Sequence, residues 1–197
     1  MEDNILNIGE MRKKLAILVA LLTLGATTVS AQNYLTKRTV GAVEVELGVG
    51  LATAANSISQ FGKARQGVEV NAEVRYNFHQ APIDLGVHFG LCSFTRSHQV
   101  GNYASKYNFD SQTLMAVTDY NFFQGRIASL FVGAGAGVAW NNLSADGTKG
   151  DFNACVMPRI GVELSNHVRL TAAYKFYEKA NNHLVISVGF AFGGGTR

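Results

Sequence analysis

Residues 68–78 read VEVNAEVRYNF, and apolar and polar side chains alternate along the whole stretch. Every even-numbered residue from Val68 to Phe78 is apolar, and every residue between them is Glu, Asn or Arg. A period of two is typical of a β-strand, because successive side chains point to opposite faces of the sheet. The stretch therefore predicts a strand with one apolar face and one charged face.

The same alternation recurs along the chain and predicts eight strands. They are 42–51, 68–78, 83–91, 112–122, 129–140, 154–164, 168–176 and 184–192. A tilted strand crosses a bilayer with roughly 9–11 residues, and bacterial single-chain barrels have an even number of strands. The connections alternate between short turns and longer loops, the longer ones being 52–66, 95–108, 141–151 and 178–183. This order is expected for periplasmic turns and extracellular loops.

The charged residues of these strands all share the less apolar face. They are Glu44, Glu46, Glu69, Glu73, Arg75, Asp84, Asp119, Arg159, Glu163, Arg169 and Lys175. A lysine or arginine on a lipid-facing surface costs about 2–4 kcal/mol at the bilayer midplane, so we predict that this face lines the lumen of a membrane barrel. Acids outnumber bases there, and we expect His88 to join the network. The opposite orientation would describe a secreted soluble barrel with apolar residues inside.

Aromatic residues mark both ends of the predicted apolar face. Tyr76, Phe78, Tyr120, Phe122, Phe190 and Phe192 lie at the expected periplasmic end, and Trp140 and Phe176 lie at the other. Two such belts are typical of the interfaces on either side of a membrane. They favour the orientation with the apolar face outward.

Composition excludes several other classes of protein. Charged residues make up 16% of the 197 residues, and there are only two cysteines. A disordered chain would carry more charge, and a disulfide scaffold would carry more cysteine. The net charge of +3 is too small to favour a nucleic-acid partner.

The first 31 residues have the features of a secretory signal peptide. Arg12, Lys13 and Lys14 precede the apolar stretch 15–24, and Val29 and Ala31 fit the small-x-small cleavage rule. The apolar stretch is shorter than the roughly 20 residues of a membrane-spanning helix. We expect export by a Sec-type signal, with Met11 as the true start, a periplasmic segment at 32–40, the barrel at 41–193 and a short tail at 194–197.

The chain resembles the small eight-stranded outer-membrane proteins of the OmpA and OmpX types. The signal ending TVSAQ at 28–32 and the closing strand LVISVGFAF at 184–192 carry this resemblance. The likeness is greatest to the outer membrane protein beta-barrel domain proteins common in Bacteroidetes. It implies the outer membrane of a Gram-negative bacterium, contact with its lipids and lipopolysaccharide, and insertion by the barrel-assembly machinery, which reads a terminal aromatic such as Phe192.

The sequence offers little catalytic or metal-binding chemistry. Cys92 and Cys155 have lumen parity on strands that are not neighbours, so we expect two free thiols and no bridge, and their spacing to histidine matches no metal motif. His79, His167 and His183 are placed in connections. We therefore predict no catalytic residue, no cofactor site and no metal site.

We expect a structural or surface-interaction role, with a lumen filled by polar side chains and binding through the loops. The residues suited to bind lipopolysaccharide phosphates or a host surface are Lys63, Arg65, Arg96, Tyr103, Lys106, Tyr107 and Lys149. Two alternatives stay open. One is a lipid-modifying enzyme, for which Ser97 and His98 in the second long loop are the candidate pair. The other is a narrow solute- or ion-conducting barrel.

Overall fold

The computed structural model describes residues 42–54, 63–64, 66–78, 81–100, 103–123, 127–143, 151–177 and 182–193. These residues form nine strands: β1 Val43–Ala54, β2 Lys63–Ala64, β3 Gly67–Asn77, β4 Ile83–Val100, β5 Tyr103–Phe122, β6 Ala128–Leu143, β7 Asp151–Leu164, β8 Val168–Lys175 and β9 His183–Phe192. β2 is a two-residue strand that pairs with β4. Among the described residues, no helix is both long enough and apolar enough to span a membrane.

The eight long strands form one closed antiparallel barrel. Each pairs with the long strands before and after it in the chain, and β1 pairs with β9 to close the sheet. The prediction of an all-β, eight-stranded, up-and-down barrel is confirmed. The turns after β3, β5 and β7 lie at the same end as the start of β1 and the end of β9, and we call this the turn end. The opposite end is the loop end.

The strand registers fix the width of the barrel. Followed from Val138 through every interstrand pair in turn, the register returns to β6 at Ala128, ten residues away. With eight strands, this stagger corresponds to a strand tilt of about 40°. A barrel of this size has an interior that side chains can fill.

The predicted alternation of faces is confirmed along the strands. In β3 the burial pattern alternates from Gly67 to Asn77, with the charged residues inside and the valines outside. Leu47, at 57% exposure, is typical of the apolar outer face. The sheet therefore has the reverse of a soluble barrel's distribution, with its charges inside.

The hairpin of β4 and β5 differs from the predicted loop. We expected 95–108 to be a loop, but the two strands continue in register to the pair Val100↔Tyr103. This part of the chain carries polar residues at most positions and therefore shows no period of two. Backbone pairing with the neighbouring strand holds it extended, and the sequence-based prediction was wrong here.

Two local features lie in β7 and in the turn that follows it. Pro158 has no N–H to donate to a ladder, and the β7–β8 pairing has a gap there, between the bridge Val156↔Phe176 and the pair Arg159↔Ala173. The β7–β8 turn has positive φ at both Ser165 and Asn166. The His167 N–H donates to the Leu164 carbonyl at 3.1 Å across these two residues, and positive φ at both central residues is typical of a β-turn whose twist matches that of antiparallel strands.

Candidate functional site in the barrel lumen

The outer surface of the barrel is a continuous apolar band. Most of its large side chains are exposed, among them Leu47, Val49, Leu51, Val70, Val87, Leu114, Ile160, Leu170, Ile186 and Val188. A soluble monomer rarely exposes a contiguous patch of this extent. Aromatic pairs lie towards both ends: Tyr76 with Phe78 and Tyr120 with Phe122 at the turn end, and Trp140 with Phe152 and Tyr174 with Phe176 towards the loop end. This surface fits a lipid environment.

The turn-end half of the lumen holds an ion-pair network around Arg75. Its guanidinium donates to Glu44 at 3.1 Å and to Glu73 at 3.0 Å, and it also donates to Glu46. The Arg75 side chain is 1% exposed. Removing one partner from a buried pair leaves an uncompensated charge, so loss of Arg75 would weaken the balance of charge in this half of the lumen.

Arg159 connects three strands across the lumen. Its Nε and Nη2 donate to the two Asp119 carboxylate oxygens at 2.8 Å each, and Nη2 also donates to Glu73 Oε1 at 2.9 Å. The planar guanidinium suits this two-pronged contact. His88 Nδ1 lies 3.1 Å from Glu73 Oε2, which confirms that His88 joins the network. β3, β4, β5 and β7 are thereby linked through their side chains.

Arg169 completes this set of residues. It donates to Asp119 Oδ2 at 2.8 Å, and its Nε lies 3.7 Å from both Glu46 and Glu163. Its guanidinium carbon also lies 3.8 Å from the centre of the Phe131 ring, a stabilising cation–π geometry. We call Glu44, Glu46, Glu73, Arg75, His88, Asp119, Arg159, Glu163 and Arg169 the turn-end network.

A second polar group lies nearer the loop end. Lys175 Nζ donates to Glu69 Oε2 at 2.8 Å and to Thr113 at 3.2 Å. His183 Nδ1 lies 2.9 Å from the Tyr177 hydroxyl, which donates to Ser111 at 3.2 Å. We call these six residues the loop-end cluster.

Apolar side chains fill the remaining lumen. One cluster holds Met115, Val117, Ala139, Cys155, Met157 and Ala173, and another holds Ala52, Cys92, Phe94, Phe109 and Val185. Tyr177 packs against both. Phe94, Phe109 and Tyr177 form what we call the aromatic cap. A small cavity between the two polar groups is lined by residues that include Glu46, Asn71 and His88.

The eleven strand charges predicted to face inward are all buried in the lumen, so that prediction is confirmed. Cys92 and Cys155 are buried free thiols, as predicted. His167 lies in the β7–β8 turn as expected, whereas His183 does not lie in a connection. It is the first residue of β9 and is fully buried.

Several other residues named in the sequence analysis lie partly or wholly outside the described residues. Ser97 and His98 lie in β4, not in a loop, and their side chains are outside the described part of the chain. So are the side chains of the seven loop residues predicted to contact a surface ligand, and so is His79. The signal peptide, the periplasmic segment and the tail are outside it too.

One group of side chains in the structure has no motif in the sequence. Glu69, Cys92 and His183 come together from β3, β4 and β9, and one ligand atom of each lies within 4.8 Å of the others. Their separations along the chain match no local metal motif. The sequence signal was the shared inward parity of Glu69 and Cys92, which pair directly across β3 and β4.

A closed sheet with charges inside and an apolar belt outside defines a membrane-spanning β-barrel. The sequence matches the family described as "Outer membrane protein beta-barrel domain" over residues 18–192. The chain belongs to this family of outer-membrane proteins. No curated protein matches it.

Solved structures with a similar fold include three small barrels. Neisserial surface protein A superposes with a TM-score of 0.54 at 15% identity, covering 78% of this chain and 98% of that one. OprG of Pseudomonas aeruginosa has a TM-score of 0.48 at 8% identity, covering 80% and 99%. Ail of Yersinia pestis has a TM-score of 0.45 at 13% identity, covering 76% and 99%. The likeness to the Neisserial protein supports the fold alone.

Proposed function

We propose that the barrel is a sealed structural unit in the outer membrane and that the protein acts through its loop end at the cell surface. The observation that carries this proposal is the filled lumen. Four buried bases pair with acids from several strands, and the aromatic cap covers the loop-end side. A solute would have to break these ion pairs to pass. The barrel is therefore suited to anchoring loops rather than to transport.

The proposal includes a processed N-terminus and surface ligands. Residues 1–31 would be removed as a Sec-type signal, with Met11 as the start, and the resemblance favours a source among the Bacteroidetes. Basic and tyrosine residues of the connections, including Lys63, Lys106 and Lys149, would bind lipopolysaccharide phosphates or a host surface. The protein would have no catalytic role and no nucleic-acid partner.

Heat modifiability tests the proposed architecture. Outer-membrane fractions would be run on SDS gels with and without boiling. A closed barrel has no free strand edge from which to unzip, so we expect a mobility shift on boiling and recovery of the protein in the outer-membrane fraction. A soluble periplasmic protein with no shift would contradict the proposal.

Two further measurements separate the alternatives. Planar-bilayer recordings should lack discrete conductance steps if the lumen is sealed, and steps would favour a conducting barrel. Mass spectrometry of lipid A should be unchanged by the double variant Ser97→Ala/His98→Ala. A changed acylation profile would favour a lipid-modifying enzyme.

A further inference from the structure

The loop-end half of the lumen brings together three side chains that metals bind. Glu69 on β3 and Cys92 on β4 are paired across the sheet, and His183 approaches from the start of β9. All three are buried, with exposures of 1%, 4% and 0%. One carboxylate oxygen, the sulfur and one imidazole nitrogen lie within 4.8 Å of one another.

Their chemistry selects a particular kind of ion. A thiolate, an imidazole and a carboxylate are the ligands of zinc and similar borderline divalent ions, whereas magnesium and calcium need mostly oxygen ligands. Bonds of about 2.0–2.3 Å at a tetrahedral ion place its ligands roughly 3.5 Å apart. Side-chain adjustments of about an ångström would bring the three atoms to this spacing.

The surroundings of His183 orient it as a ligand. His183 Nδ1 lies 2.9 Å from the Tyr177 hydroxyl oxygen, whose other partner is the Ser111 hydroxyl at 3.2 Å. With Nδ1 held by this contact, the other ring nitrogen, Nε2, lies 3.7 Å from Glu69 Oε2. In a histidine ligand, the ring nitrogen that does not bind the metal usually donates its N–H to a nearby oxygen, and this oxygen fixes the tautomer and the ring angle. The Tyr177 hydroxyl is placed to be this acceptor.

The charges of the site also allow an ion. Without metal, the Glu69 carboxylate is balanced by Lys175 at 2.8 Å. Binding of a divalent ion would displace the Cys92 thiol proton to solvent and form a metal–sulfur bond, as zinc sites do. The metal, the thiolate, the carboxylate and Lys175 then carry a net single positive charge. The turn-end network provides compensation in the same lumen, since it holds five acids and three arginines besides His88.

We propose that Glu69, Cys92 and His183 bind one divalent transition-metal ion of the zinc class inside the barrel, with a fourth position filled by water. Tyr177 acts as a positioning residue for His183. The aromatic cap lies between this site and the loop end, so the ion enters most readily while the barrel folds. The site joins β3, β4 and β9 and is independent of the surface role proposed above.

Cobalt is a suitable probe, because a thiolate–cobalt bond gives a near-ultraviolet charge-transfer band that oxygen and nitrogen ligands do not give. The full chain would be refolded into detergent micelles with Co²⁺ alone or with chelator. We expect one Co²⁺ per folded chain, the thiolate band, and loss of the band when Zn²⁺ is added. Binding should strengthen as pH rises, because the thiol proton must leave.

Variants with a matched control locate the site. Cys92→Ser should lose the thiolate band, and His183→Gln should lose it or weaken Co²⁺ binding by more than about 100-fold. Tyr177→Phe should weaken Co²⁺ binding by roughly 10- to 100-fold, as is typical when a hydrogen-bond partner of a metal ligand is removed. Cys155→Ser is the control, since Cys155 is an equally buried lumen thiol outside the three-residue group, and it should keep the band. Each variant would first be checked for the heat-dependent gel shift.

Several outcomes would overturn the proposal. They are a folded wild-type barrel with no thiolate band, a band that survives Cys92→Ser, and a band that Cys155→Ser removes. The wild-type result does not depend on any variant folding. A barrel that shows the gel shift but binds no Co²⁺ would refute the metal site and leave the proposed membrane architecture intact, so the two failures are distinguishable.

Discussion

Replacement of Arg75 by methionine tests whether the lumen is dry. The substitution keeps an unbranched aliphatic side chain of similar length to the arginine stem, but it removes the guanidinium. That guanidinium contacts Glu44, Glu46 and Glu73. Loss of one partner from a buried ion pair typically costs about 3–5 kcal/mol. Glu73 keeps Arg159, and Glu46 keeps a longer contact to Arg169. Glu44 is therefore the carboxylate most affected. We expect the free energy of unfolding to fall by about 3 kcal/mol, at the lower end of this range.

Urea unfolding in micelles or phospholipid vesicles would measure this change. Trp140 is the one tryptophan in the chain and lies on the outer face at 37% exposure, so its fluorescence reports departure from the apolar phase. With a urea dependence of about 2 kcal/mol per molar, a loss of about 3 kcal/mol lowers the midpoint by about 1.5 M.

A second substitution serves as the control. Adding Glu44→Gln to Arg75→Met removes the charge left without a partner, and the double variant should recover part of the lost stability. An Arg75→Met barrel that keeps its gel shift and unfolds at the wild-type midpoint would refute the reasoning. It would mean that water hydrates these carboxylates and that the lumen is not sealed.

Three other predictions follow from the two faces of the sheet. Leu47→Arg places a charge in the apolar band near the middle of β1 and should lower the unfolding free energy by about 2–4 kcal/mol in vesicles; an unchanged urea midpoint would mean that this face does not contact lipid. A methyl group at Gly133 would overlap a backbone carbonyl oxygen and a carboxylate of β5, whereas at Gly135 its nearest neighbours are two side-chain ends at 3.0 and 3.2 Å, with a backbone oxygen at 3.5 Å. Gly133→Ala should therefore lower the free energy of unfolding by about 1–3 kcal/mol, and Gly135→Ala should lower it much less. Equal urea midpoints for these two variants would contradict this. Cys92 and Cys155 are buried and free, so a thiol reagent should label neither in the folded band and both in urea; rapid labelling of the folded band would show an open lumen.

The membrane-facing part of the fold could be predicted from the sequence because lipid imposes a strict rule. Every second residue of a strand such as β3 must be apolar, and charges must lie between them. This rule fixed the number of strands and the direction of all eleven charges. The same rule does not apply to 95–108, where both faces of the β4–β5 hairpin carry polar residues. The sequence therefore gave no sign that these residues are paired.

The arrangement inside the lumen could be predicted only in part. Parity places Arg159 and Glu73 inside, but the height at which they meet depends on the stagger around the barrel, which no single strand contains. His183 shows the same limit. The five residues before it have no alternation, so the sequence pattern predicts the start of β9 one residue too late and places the histidine in a connection. Its grouping with Glu69 and Cys92 could not be inferred without the register.

The closing pair of strands has a consequence for assembly. The register joins Val45 near the start of the barrel to Phe192 at its end, so this ladder cannot form until the last strand has been synthesised. Contacts between distant parts of a chain form slowly, whereas the β4–β5 hairpin needs only its own short connection. Until closure, β1 and β9 each present an unpaired edge that another chain could add to. The slow step in making this protein is therefore expected to be the meeting of its first and last strands, and protection of those two edges determines whether newly made chains reach the membrane or aggregate.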